Sequence, residues 1–233
     1  VASDRQCALW CDDLALRDLA ESVGIPTFGT WALYESLIFT PAGTLLPRPL
    51  EVKAQFLQAR IADAPIDLPD LARAADESEF PDNVVCGYLS RPLAWARDPS
   101  ATLEWFLNAV GMFTEQSQPQ RVALLLHAGS YGLGSAVDPS LRSRAIGALL
   151  AGTIRRVADP AVVPILLASS RLAAAYLNPA DEPDPLQHAV RHLLIPLEDE
   201  VGPSPAARTV IRTFSHLDAP DRHTVTTLIL GDR

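Results

Sequence analysis

Proline cuts the second half of the chain into short lengths. Breaks fall at Asp138-Pro139, Asp159-Pro160, Pro179 to Pro185, Gly202 to Pro205 and Pro220. Proline lacks a backbone donor and clashes with the preceding turn, so no helix runs on unbroken through such points. Apolar residues recur at helical spacing between the breaks, and each break sets Pro beside Asp or Ser, the chemistry of a helix stop and restart. The expected helices are 121–137, 141–158, 161–177, 185–200, 206–217 and 221–230. Segments of this length with short links pack as antiparallel neighbours, in a bundle or a short solenoid. No fixed period is visible, so the pattern names no repeat family.

Upstream, the pattern predicts a helix at 101–115 with Leu103, Phe106, Leu107 and Val110 on one face. A loop from Arg91-Pro92 to Ser100 precedes it, and a helix at 83–89 precedes the loop. Two further helices are expected at 50–62 and 68–77, after a Pro/Gly-rich linker at 40–49. With 233 residues, 48% of them hydrophobic, the chain buries a core without disulfide or metal staples. A net charge of −9 argues against a broad electrostatic grip on nucleic acid, though not against a local basic groove. Cys7, Cys11 and Cys86 form neither a disulfide framework nor a zinc pattern, which points to a reducing, cytoplasmic setting. The most apolar stretch, Ala161 to Leu177, contains Pro164 and Arg171 and falls short of the roughly 20 residues that span a bilayer. It reads as a buried helix, and no membrane partner is expected.

The chemistry concentrates near the start, between Cys7 and Leu37. Residues 7–11 are continuously apolar, as in a strand covered on both faces. The adjacent carboxylates Asp12 and Asp13 follow. Leu16, Leu19, Ala20 and Val23 keep helical spacing and mark one buried face, while Arg17, Asp18 and Glu21 take the wet side. Gly24 closes the helix, residues 25–28 form a second strand, Gly29 turns it, and Thr30 is placed to cap a helix at 31–39. Links this short mean parallel strands with a right-handed crossover. Acids at a strand's carboxyl end face the usual ligand position of an open α/β sheet, and their oxygens suit Mg²⁺ or Mn²⁺. The plainer alternative makes Asp12 an N-cap and Asp13 a first-turn acid favoured by the helix dipole.

The order of these features resembles the C-terminal half of a PIN domain: a short apolar strand, Asp12-Asp13, Leu16-Arg17, Leu19-Ala20, Gly24-Ile25, then Phe28-Gly29-Thr30. PIN domains are metal-dependent nucleases, mostly ribonucleases, and many are the toxins of bacterial toxin–antitoxin pairs. The resemblance implies phosphodiester hydrolysis, with Asp12 as the family's late metal-binding aspartate and Asp13 as an accessory acid. It implies Mg²⁺ or Mn²⁺ as cofactor, Gly29 and Thr30 as the closing turn, RNA as substrate, and an antitoxin-like or other protein regulator. The family's remaining acids would precede Val1, so this chain alone is expected to be weak or inactive and to self-associate through an incomplete sheet. The alternative is a non-catalytic helical interaction or regulatory module.

The expected fold is therefore mainly α. A short parallel β-α-β-α unit, a partial PIN-like sandwich at 1–45, leads through a helical extension at 46–118 to an α-helical domain at 119–233. Arg142, Arg144, Arg155 and Arg156 form a basic cluster on one expected helix, and with Arg17 they are the candidate nucleic-acid contacts. His188 and His192, four apart, have the spacing of a metal pair but no third ligand. Gly129, Gly132 and Gly134 follow no strand and precede no Lys, so close helix packing explains them better than a phosphate loop.

Overall fold

The computed structural model describes residues 8–11, 14–30, 32–34, 82–157, 159–177 and 183–231. The expected linker at 40–49 and helices at 50–62 and 68–77 lie outside the described residues. The chain divides into two compact units, Val1–Gly87 and Tyr88–Arg233.

In the first unit, β1 (Leu9–Trp10) and β2 (Thr27–Phe28) pair in parallel across the intervening helix α1 (Leu14–Ser22). Leu9 N–H donates to the Pro26 carbonyl at 2.8 Å, and Cys11 N–H to the Phe28 carbonyl at 3.0 Å. Helix α1 ends as expected at Gly24, whose φ of +78° an L side chain resists. Gly24 N–H reaches the Glu21 carbonyl and Ile25 N–H the Ala20 carbonyl, the paired bonds of a Schellman ending. Two expectations need correcting. Of the four apolar residues assigned to the covered face of α1, only Ala20 is buried, and Leu16, Leu19 and Val23 are exposed. The strand is not covered on both faces either, since Trp10 is 57% exposed. Among the described residues the sheet has two strands, too narrow a platform to cover a helical stripe or both faces of a strand.

The second unit is helical throughout its described residues. The boundary falls inside α2 (Asp82–Leu89), and α3 (Pro92–Arg97), α4 (Pro99–Glu115), α5 (Pro119–Ala136), α6 (Arg142–Arg156), α7 (Val163–Leu177), α8 (Pro185–Val201), α9 (Pro203–Thr213) and α10 (Ala219–Gly231) follow. One-turn 3-10 segments at Pro139–Leu141 and Pro160–Val162 lead into α6 and α7. Proline is the first residue of α3, α4, α5, α8 and α9 and of both 3-10 segments. An Asp N-cap followed by Pro in the first turn recurs four times: Asp98, Asp138, Asp159 and Asp184 each accept from a main-chain N–H two or three residues on, at 2.9–3.0 Å. Proline fits there because its missing N–H is one the first turn cannot use.

Helix α3 occupies part of the segment expected as a loop. It buries Ala94 and Trp95, and the Trp95 indole donates to the Leu89 carbonyl at 2.8 Å. The covered face of α4 also differs from expectation. It runs through Thr102, Phe106, Ala109, Val110 and Phe113, and Leu103 is 39% exposed. Thr102 can be buried because its hydroxyl donates to the Ala94 carbonyl at 2.9 Å.

Alternate helices lie side by side. Helix α5 packs most extensively on α7, and α6 on α8. Both pairs run parallel: His127 meets Ser169 while Gly134 meets Leu177, and Gly147 meets His188 while Arg155 meets His192. The result is a mainly helical body in two layers, with Phe106, Leu126, Ile146, Leu150, Leu166 and Leu186 fully buried between them. Each such side chain contributes about 1.5–3 kcal/mol by leaving water. The glycines of α5 serve packing: a Cβ on Gly132 would overlap the Leu89 carbonyl oxygen, and one on Gly134 would stand 2.5 Å from Leu177.

Candidate functional site

Parallel pairing brings the carboxyl ends of β1 and β2 together, so the chain leaves the sheet at Cys11 and at Gly29 side by side. The Trp10 indole donates to the Thr30 hydroxyl at 3.1 Å and ties the two exits. Gly29 is buried, and its carbonyl accepts from Leu33 N–H, so the helix begins at Thr30, one residue before the expected start at 31, with Gly29 in the cap position expected for Thr30. Asp12 and Asp13 lie outside the described residues, as does the side chain of Arg17 on α1. Glu21, the nearest described acid on α1, is exposed, and its carboxylate accepts from the Thr27 hydroxyl. No group of three metal-ligating side chains occurs among the described residues.

The arginine cluster divides in two. Arg142 is a capping residue: its guanidinium donates to the Gly134 carbonyl at 3.1 Å and the Leu177 carbonyl at 3.0 Å, closing the carboxyl ends of α5 and α7. Arg144, Arg155 and Arg156 are exposed on α6. Arg155 also reaches across to donate to the His192 carbonyl of α8. That carbonyl lacks its helical partner because residue 196, four positions on, is the proline inside α8. The guanidinium stands in for the missing helical donor.

His188 and His192 are half-buried. Gly147 allows α8 to approach so closely that a Cβ there would strike His188 and the Pro185 carbonyl. The His192 imidazole titrates below the ordinary histidine range, first because burial disfavours its charged form and then because Arg144 and Arg155 repel it. Sequence spacing singled out the two histidines and the arginines of α6 separately. Their meeting depends on the parallel packing of α6 and α8, which spacing within one helix does not encode.

Two other features escaped the sequence. Arg171 forms a bidentate pair with Asp221, at 2.6 and 2.7 Å, and a further bond to Asp184 at 2.8 Å. Both carboxylates raise its pKa further above the arginine norm, the Asp221 bond most of all. The trio joins α7, the N-cap of α8 and the first turn of α10. The segment Pro160–Leu177 is, among the described residues, the one helix long and apolar enough to cross a membrane, yet only 28% of it is buried. It was expected to be a buried helix. Its inner face, Val163, Leu166, Leu167, Ser170 and Ala173, is covered, while Ile165, Leu172 and Tyr176 remain exposed. His127 packs edge-on against Tyr176, and Leu124 and Tyr131 flank it one turn either side, so the outer surface of α5 and α7 forms one apolar face. Neither helix contains an acid; Arg171 is paired, and Arg121 stacks on Phe113 at 4.1 Å.

No family model, curated protein or solved structure matches the chain.

Proposed function

We propose that the N-terminal unit is a PIN-like, metal-dependent nuclease element, weak or inactive in this chain by itself. The observation that carries the reading is the parallel β1–α1–β2 pairing, which brings the end of β1 beside Gly29 and Thr30. Asp12 and Asp13 follow β1 in the chain and would offer carboxylate oxygens to Mg²⁺ or Mn²⁺. A metal held there would polarise a phosphodiester and favour attack by water. Two acids alone hold such an ion loosely, since hard divalent cations favour six or more oxygen ligands. Manganese titration by calorimetry tests the assignment without relying on turnover. Weak binding is expected, and Asp12→Asn should abolish it. Equal binding by Asp12→Asn would remove the site.

A second reading, a helical module that docks a protein regulator, is favoured by the uncharged outer face of α5 and α7. Exposed contiguous apolar surface of this kind marks interaction sites. A second copy is another occupant to consider for the N-terminal unit, where a two-stranded sheet gives each strand an edge without a strand partner among the described residues.

A further inference from the structure

Helices α9 and α10 are joined by a short link, 214–218, and an open groove of about 490 Å³ lies between them. That volume falls within the range of small-ligand sites. Its floor is apolar: Phe214 and Val225 are buried, and Ile211 forms a half-open wall at 41% exposure. The groove is polar at one end. Arg222 and Ser215 stand at the link, whereas Ile211 lies four residues back along α9 and Thr226 one turn further along α10. The Arg222 guanidinium is fixed at the link end, because Nη1 donates to the Leu217 carbonyl at 3.0 Å and towards the Ser215 carbonyl at 3.4 Å. A guanidinium carries five N–H donors. Those on Nε and Nη2 of Arg222 find no acceptor among the described residues, and no carboxylate pairs with the group there.

We propose that this groove binds a medium-chain carboxylate, with its carboxyl group on Arg222 at the link and its hydrocarbon laid over Phe214, Val225 and Ile211. The remaining guanidinium donors form a planar fork that matches two carboxylate oxygens at once. The fork is already held in place by the two carbonyls, so little side-chain freedom is lost on binding. The local charge favours an anion. Between Pro203 and Gly231 stand Arg208, Arg212 and Arg222 against Asp218 and Asp221, and Asp221 is engaged by Arg171. Asp218 caps the start of α10 through the Asp221 N–H. A chain of net charge −9 repels anions over most of its surface, so this end is an exception. One guanidinium beside an apolar lane suits a single charge on a tail. A nucleotide or other multiply charged phosphate would need further cations along the lane, where Ile211 and Thr226 stand instead. The exposed His223 lies on the rim and adds an imidazole N–H donor beside Arg222. The site rests neither on the nuclease reading nor on the outer face of α5 and α7, since it shares no residue with either.

The test is titration of the full chain, labelled with nitrogen-15, with octanoate, followed by the amide resonances of Ser215, Arg222 and Thr226. Saturable shifts are expected with a Kd of about 1 mM, the range that ligand efficiency allows a probe of this size in an open groove. Octylammonium has the same tail and the opposite charge, and it should bind at least about tenfold more weakly. Arg222→Gln removes the charge-assisted bonds and should raise the octanoate Kd by about tenfold. Thr226→Trp keeps Arg222 but fills the lane, and it should abolish the shifts at Ser215 and Arg222. Circular dichroism confirms that the variants remain folded, and the comparison of octanoate with octylammonium needs no variant. Absence of saturable shifts in the groove at about tenfold the expected Kd, equal binding of octylammonium, or octanoate binding unchanged by Arg222→Gln or by Thr226→Trp would each overturn the proposal.

Discussion

Pro196 and Arg155 form a coupled pair whose energetics can be isolated. Proline at 196 leaves the His192 carbonyl without its helical donor, and the Arg155 guanidinium takes that place from α6. A hydrogen bond from a charged donor is worth about 1.5–3 kcal/mol, and exposure of this one sets it near the lower end, so Arg155→Gln should cost about 1.5 kcal/mol. Pro196→Ala returns an N–H to the helix ladder and should stabilise the protein by about 1–3 kcal/mol. In the Pro196→Ala background the carbonyl already has its partner, and Arg155→Gln should then cost under about 0.5 kcal/mol. The coupling is thus about 1 kcal/mol. Urea unfolding of the four proteins, followed by far-ultraviolet circular dichroism, reads it as a midpoint shift of about 0.5 M for a slope near 2 kcal/mol per molar. An equal cost for Arg155→Gln in both backgrounds would refute the link between the proline and the arginine.

Other outcomes are open to direct measurement. Gly132→Ala gains about 1 kcal/mol of helix propensity but forces a methyl against the Leu89 carbonyl and the Trp95 indole. With overpacking and the severed buried bond at about 2 kcal/mol each, it should destabilise by about 3 kcal/mol, whereas Gly111→Ala, with nothing within 4 Å, should stabilise. Matching stability of the two variants in urea would discount the close approach. Nuclear magnetic resonance titration should place the His192 pKa below the usual histidine value, and Arg144→Gln should raise it. Because the folded state holds this ring neutral, its contribution to stability is present above the unfolded-state pKa and is lost as pH falls through the folded-state value. A His192 pKa unmoved by Arg144→Gln would dismiss the repulsion between them.

The sequence made the helical series legible because its signals are local. Asp beside Pro marks an N-cap and a first turn within a few residues, and every helix expected after residue 119 is present. Their starts were read late, at 121 and 206 against Pro119 and Pro203, because proline was weighed as a breaker when it was the first helical residue. Long-range terms hid the rest. Helix α3 is anchored by one indole reaching back six residues, and the buried face of α4 turns on a threonine whose partner is eight residues away. The exposed leucines of α1 show the converse: an amphipathic pattern declares what a helix can cover, not that a cover is there. At the candidate sites, the turn at Gly29 and Thr30 was legible from residue type. The separation of Arg142 from Arg144 and Arg155 was not, because it depends on which helix ends lie nearby.

Parallel packing of alternate helices also bears on how the protein is made. Each layer contact in the series from α5 to α8 joins segments separated by a single intervening helix, so few contacts wait for distant chain. Topologies rich in such near-sequence contacts fold fast. On the ribosome, α5 can find its lateral neighbour as soon as α7 emerges, and α6 likewise once α8 is out. The core can thus close in the order of synthesis, keeping its apolar faces exposed only briefly during translation.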